Sequence, residues 1–291
     1  MQRVIDESTT AAANSKGAQA SKVWFITGAG RGIGAEIARA ALVAGDQVVA
    51  TGRHVEQLKA TYASHGNQVL CLALDVSQEQ EATTAVETAA AHFGRIDVLV
   101  NNAGYGQLGL FEEVASVDVE RQFATNVFGL MHVTRAVLPL MRRQRGGHIL
   151  NLASIGGVMG FESSSIYCAA KFAVVGFSES LALEVARFNI KVTVVEPGFF
   201  RTDFLDKSSV RYGARTVADY PRADYESYNR QQPGDPSRLG QAVVQVAAMS
   251  EPPLHFLAGT DAVKYAMQAF ERRRAEVDSH AALSVTTDIG R

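Results

Sequence analysis

The sequence predicts a single doubly wound α/β domain, a parallel sheet of six to seven strands with helices on both faces. Two observations carry this expectation. From residue 22 onward, short runs of apolar residues alternate with longer helical stretches, and strands apolar on both sides belong to sheets covered on both faces. The first such run also opens directly into a glycine-rich turn and a helix, as a nucleotide-binding βαβ unit does. A chain of 291 residues that is 47% hydrophobic can bury a sizeable core, and no second composition regime marks a further domain.

In chain order, residues 1–21 hold few large apolar side chains, so they are expected to form a mobile tail rather than a secretory signal. Residues 23–26 read as the first strand. Residues 33–43 have helical periodicity and end at Gly45, a fitting C-terminal residue. A strand at 47–50, a helix to about residue 64 and a strand at 69–74 follow. Ser77 is the expected N-cap of an Ala-rich helix reaching to about residue 92. Strands at 97–100, 148–152 and 191–195 complete six, with 255–257 a weaker seventh. Two long helices are expected at 117–143 and 164–188, and Pro139 should end or kink the first. No later run reaches the roughly 18 apolar residues of a membrane helix. Residues 251–291 add a helix and a tail.

Charge and cysteine content narrow the partners. With 28 basic and 30 acidic side chains the net charge is −2, which gives no field to attract nucleic acid or an anionic membrane. Cys71 and Cys168 are too few for a disulfide scaffold, and neither they nor the histidines have metal-ligand spacing. A cytoplasmic, metal-free protein is expected.

The turn after the first strand contains Gly28, Arg31, Gly32, Ile33 and Gly34. Its glycines let the backbone approach a diphosphate, and the next helix presents free N–H groups and its positive dipole end to that anion. The end of the second strand should read the adenosine ribose, with an acid there selecting NAD. This chain has no acid between Gln47 and His54 and carries Arg53 instead. Arg53 and Arg31 can both be ordinary solvated charges. Together, with the acid missing, they favour a 2′-phosphate and hence NADP(H).

Ser154 follows the fifth strand, and Tyr167 and Lys171 lie one turn apart on one helical face. A nearby ammonium should lower the phenol pKa from about 10 and make Tyr167 a workable acid/base. These residues, in the order Gly28–Gly34, Asp75 and Val76, Asn101–Gly104, Asn126, Ser154, Tyr167 and Lys171, then Pro197 and Gly198, resemble the short-chain dehydrogenase/reductase family from residue 22 to about 250.

The resemblance implies roles. Tyr167 would exchange the proton with the carbonyl or alcohol oxygen, and Ser154 would hydrogen-bond that oxygen. Lys171 would bind the nicotinamide ribose, and Asn126 would hold a relay water. Asp75 and Val76 would meet adenine, although Asp75 also suits a helix N-terminus. Asn102, Ala103 and Gly104 would form the turn beside the adenosine ribose, or a plain turn. Pro197, Gly198 and Thr202 would fix the nicotinamide.

The alternation breaks down over 199–235, the family's substrate flap, where Phe199, Phe200, Phe204, Tyr212, Tyr220, Tyr225 and Tyr228 either line an apolar pocket or anchor the flap. The expected activity is NADP(H)-dependent interconversion of a small-molecule carbonyl and its alcohol, most readily the reduction of a fairly apolar ketone or aldehyde. The alternatives are an NADP(H)-binding regulator and a non-redox epimerase or dehydratase. By the same resemblance the long helices form a homodimer or homotetramer.

Overall fold

The computed structural model describes residues 21–206, 209–213, 216–220, 225 and 227–290; the expected mobile tail, apart from Ser21, lies outside them. The sheet runs β3-β2-β1-β4-β6-β7-β9 with every pairing parallel. Its strands are β1 (Val23–Thr27), β2 (Gln47–Gly52), β3 (Val69–Ala73), β4 (Val98–Asn101), β6 (Gly147–Leu152), β7 (Ile190–Pro197) and β9 (His255–Ala258). The weak seventh candidate is thus an edge strand. Between them lie β5 (Gly106–Leu108) and β8 (Val210–Tyr212), which form a separate parallel pair.

Burial explains the strands. All five residues of β1 are buried, with Trp24 fully enclosed and its indole N–H donated to Asp46 at 2.8 Å, so the one polar atom of that side chain is satisfied. One face packs against α1 (Gly32–Val43) and α7 (Pro236–Ala248) through Ile26, Ile37, Ala41, Leu239 and Val243. The other packs against α3 (Glu79–Phe93), α5 (Gly129–Gln144) and α6 (Ser165–Val185) through Phe25, Val86, Leu99, Val133, Ile149 and Leu181. The remaining helices are α2 (Val55–Thr61), α4 (Ser116–Phe123) and α8 (Thr260–Ser284).

Three expectations need correction. Ser77 is not the cap of α3: Gln78 occupies that place without a side-chain cap, while the Ser77 amide and hydroxyl both donate to Asp75, at 3.0 and 2.7 Å. The long helix expected at 117–143 runs without a break from Ser116 to Gln144, α4 passing into α5 through a wider π-type turn over Ala124–Phe128. Pro139 lies inside α5 and does not end it. The apolar face carrying Val133, Val137 and Met141 holds the helix onto the sheet across the missing N–H. Lastly, the helix Ser165–Phe188 is long and apolar enough to cross a membrane, with a mean hydropathy of 1.4. Its Ile166, Ala170, Val174 and Leu181 are buried in the domain.

Candidate active site

Strand order reverses between β1 and β4, and ligands of open α/β sheets bind in the crevice at such a switch point. The turns leaving these two strands are interlocked. The Thr27 hydroxyl accepts from the backbone N–H groups of Asn102 and Ala103, both at 2.9 Å. In return the Asn102 amide donates to the carbonyls of Thr27 (2.9 Å) and Gly28 (3.1 Å). Gly28 and Gly32 hold φ of 65° and 56°, the left-handed region where a Cβ is strained. Gly34 is required by close approach: a Cβ there would stand 2.4 Å from Asn102 Nδ2 and 2.5 Å from the Gly28 carbonyl. A Cβ on Gly32 would be 3.8 Å from Thr202 Cβ, so Thr202 stands over the glycine turn from the far side of the cleft.

This cradle fits a dinucleotide. Arg31 at the start of α1 and Arg53 just past β2 are both exposed beyond the carboxyl ends of adjacent, registered strands. Ile33 packs against the core behind the turn. Val76 is buried, and a Cβ on Gly129 would lie 2.6 Å from it, so α5 closes over this residue. Asp75 directs its carboxylate to Ser77.

Across the crevice, β6 delivers Ser154 and the N-terminal turns of α6 deliver Tyr167 and Lys171. Ser154 Oγ accepts from the Gly156 amide at 3.1 Å. Gly156 and Gly157 let α6 approach: Cβ atoms there would be 3.3 Å from the Tyr167 ring and 2.9 Å from the Lys171 carbonyl. Lys171 is buried, donates to the Leu152 carbonyl at 2.7 Å, and its Nζ lies 5.7 Å from the Tyr167 ring centroid.

The electrostatics reverse one expectation. Burial pushes the Tyr167 phenol up to about 12, and its hydrogen bond with the Ser154 side chain draws it only part of the way back. Burial outweighs the lowering expected from the neighbouring Lys171 ammonium. Burial also brings Lys171 down to about 8, the cost of desolvating a charge exceeding what its hydrogen bond to the Leu152 carbonyl returns. At neutral pH the site therefore holds a protonated phenol beside a charged lysine.

Asn126 sits in the π-type turn, and its side-chain amide is spent on the backbone of Tyr105: Oδ1 accepts from the N–H at 3.2 Å and Nδ2 donates to the carbonyl at 2.9 Å. Gly104 lies against it, 3.3 Å separating Oδ1 from the position of a Cβ. Pro197 ends β7, and the following Gly198 leaves room for Asp261, whose carboxylate accepts from the Phe199 amide at 2.7 Å.

The 199–235 segment contributes both a wall and its anchors. The Phe204 ring lies 5.6 Å from that of Tyr167, and Leu108, Leu205, Val210, Tyr225 and Tyr228 complete an apolar cluster around them. Anchoring falls to Tyr225, which donates to the Glu162 carbonyl at 2.6 Å, and to Tyr220, which donates to Glu112 at 2.8 Å. A cavity of about 360 Å³ opens beside the start of α6, lined by Leu110, Phe111, Phe161 and Tyr220 among others. Sequence reasoning missed the β5–β8 pair that fastens this segment to the domain. The glycine-rich 104–109 stretch is too short and too broken to show strand alternation.

Residues 22–212 match the family described as short chain dehydrogenase. The chain belongs to that family. A relative from Botryotinia fuckeliana, "Oxidoreductase BOA17", is 41% identical over 92% of this chain and 99% of its own length. The "3-ketodihydrosphingosine reductase" of Bacteroides thetaiotaomicron is 37% identical over 82% of this chain and 88% of its own. Among solved structures, a short-chain dehydrogenase from Streptomyces avermitilis superposes with a TM-score of 0.87 at 37% identity, covering 94% of this chain and all of that one. The closed form of a serine dehydrogenase complexed with NADP+ gives a TM-score of 0.71 at 29% identity, covering 80% and 93%. As a member of the short-chain dehydrogenases, the protein is an oxidoreductase of the carbonyl/alcohol pair that uses a nicotinamide cofactor.

Proposed function

We propose that the protein is an NADP(H)-dependent reductase of a fairly apolar ketone or aldehyde, with Tyr167 as the proton donor. The observation that carries this reading is the half-buried, hydrogen-bonded pair of Tyr167 and Ser154, backed by the buried Lys171 and walled by Phe204. A phenol held near pKa 12 keeps its proton at neutral pH, which suits a group that must give one to a carbonyl oxygen. Ser154 would hold that oxygen against the phenol, as the family resemblance implies. The charge that appears on Tyr167 as the proton leaves is stabilised by the nearby Lys171 ammonium, while that amine stays positioned through Leu152.

NADP(H) is supported by Arg31 and Arg53 at the adenosine end, with no carboxylate between Gln47 and His54 to repel a phosphate. Gly28, Gly32, Ile33 and Gly34 would hold the diphosphate, with Asn102, Ala103 and Gly104 beside the ribose and Asp75 and Val76 beside adenine. Pro197, Gly198 and Thr202 would hold the nicotinamide end, where the cofactor supplies the hydride. Asn126, its side chain committed to Tyr105, would act through a water. A ketone reductase among the relatives supports the direction. The free thiols Cys71 and Cys168 suit a reducing, cytoplasmic compartment.

The test is NADPH consumption across aldehydes, aryl ketones, steroids and long-chain ketones, repeated with NADH and with Arg53→Asp. NADPH-dependent turnover of an apolar member is expected, with the NADPH preference falling about tenfold or more in the variant, the scale of one lost charged contact. Tight NADPH binding without turnover of any compound would instead favour a regulator or a non-redox enzyme.

A further inference from the structure

Helix α8 is seated on the domain through Ala262, Ala266 and Ala269, yet every residue from 271 to 290 is exposed. Within that half Arg273 donates to the Val158 carbonyl and lies 5.5 Å over the Phe172 ring, and a helical segment with so few tertiary contacts is marginal in water and takes its stability from packing an apolar face. Such a face exists. Val263, Met267, Phe270 and Val277 are 48%, 53%, 48% and 67% exposed. With Arg274 and Ala281 they recur at alternating steps of four and three, the spacing of a coiled-coil seam. At about 100° per residue this stripe lies roughly a quarter turn from the seated alanines, so docking on the domain leaves it open.

We propose that α8 is a dimerisation arm that pairs antiparallel with α8 of a second copy of this chain. The stripe is complementary to itself in that orientation. Met267 then meets Val277, Val263 meets Ala281, and Phe270 lies under the Arg274 guanidinium, a favourable cation–π contact. Lys264 faces Asp278, which also pairs with Arg274 of its own helix at 3.7 Å, on both sides of the twofold axis. Glu271, which approaches its own copy near the axis, falls beside Arg274 of the opposite arm. A parallel pairing would stack Arg274 on Arg274 along the seam, which disfavours it. The interface is isologous and closed, and the projecting half of each arm lies along the seated half of the other, supplying the packing that the half lacks alone. None of these residues touches the catalytic cleft, so the inference stands apart from the proposed activity.

The test is the mass of the full-length protein by sedimentation and light scattering at micromolar concentration. Phe270→Glu should halve the mass while NADPH binding and the thermal transition of the domain persist. Lys264→Asp and Asp278→Lys should each weaken association about tenfold, and the double swap should restore it to within about threefold, as two symmetric surface ion pairs would. An unchanged mass in Phe270→Glu, or a double swap no better than either single, would overturn the pairing. So would a wild-type protein that stays monomeric but sediments with anionic vesicles unless Phe270 is replaced.

Discussion

Around the turns after β1 and β4, position is fixed by backbone and by one amide: Asn102 ties the two turns together, and Gly34 has no room for a single added carbon. Around Tyr167, position is fixed by side chains: Phe204 and the tyrosines of 199–235 close on the phenol through ring contacts and a three-residue strand pair. The first arrangement is intolerant of change and serves a ligand whose shape does not vary. The second can be altered ring by ring and serves whatever substrate a given member of the family selects. One cleft therefore separates a fixed cofactor half from an adjustable substrate half.

The sharpest way to break that contrast is Gly34→Ala. The new Cβ must displace Asn102 or the Gly28 carbonyl, so stability should fall by about 2 kcal/mol and NADPH affinity by about 100-fold or more. Thermal melts and a fluorescence titration measure both, and a variant that binds NADPH normally would sever the glycine turn from the cofactor.

A smaller effect should appear with pH. Lys171 carries its charge below about 8 and loses it above, so carbonyl reduction should be level below that pH. It should then fall about tenfold per unit above it, as for one essential protonated group. Tyr167, near 12, remains protonated throughout this range. A profile flat to pH 9.5 would remove the ammonium from the rate.

The smallest effect sharpens the other side of the contrast. Phe204→Leu should change relative kcat/KM among carbonyl substrates by about threefold to tenfold, the worth of one or two apolar groups. NADPH affinity and melting temperature should stay close to those of the parent protein. Loss of NADPH binding would show that the two halves are not separable.

The same division decides how much was legible in the sequence. The glycine turn, Asn102, Ser154, Tyr167 and Lys171 are readable because each depends on local spacing along one strand, turn or helix. The structure brings them to the two sides of one crevice. The sheet was equally legible, since strands as largely apolar as β1, β4 and β7 belong to sheets buried on both faces. What failed were properties set by three-dimensional surroundings. The direction of the Tyr167 shift depends on burial that i and i+4 spacing does not reveal. The π-type turn at Ala124–Phe128 carries no proline or glycine to announce it, and the proline that is present sits inside α5 without ending it. The β5–β8 pair joins segments about a hundred residues apart and has no alternation to betray it.

The central claim, that Tyr167 gives the proton while the interlocked turns hold the cofactor, is tested most directly by Tyr167→Phe. NADPH affinity and carbonyl turnover should be measured on the same preparation. Removing the one hydroxyl should lower turnover about 1000-fold or more, within the reach of general acid catalysis, and leave NADPH affinity within about threefold. Substantial turnover in the variant, or NADPH binding lost together with activity, would contradict it.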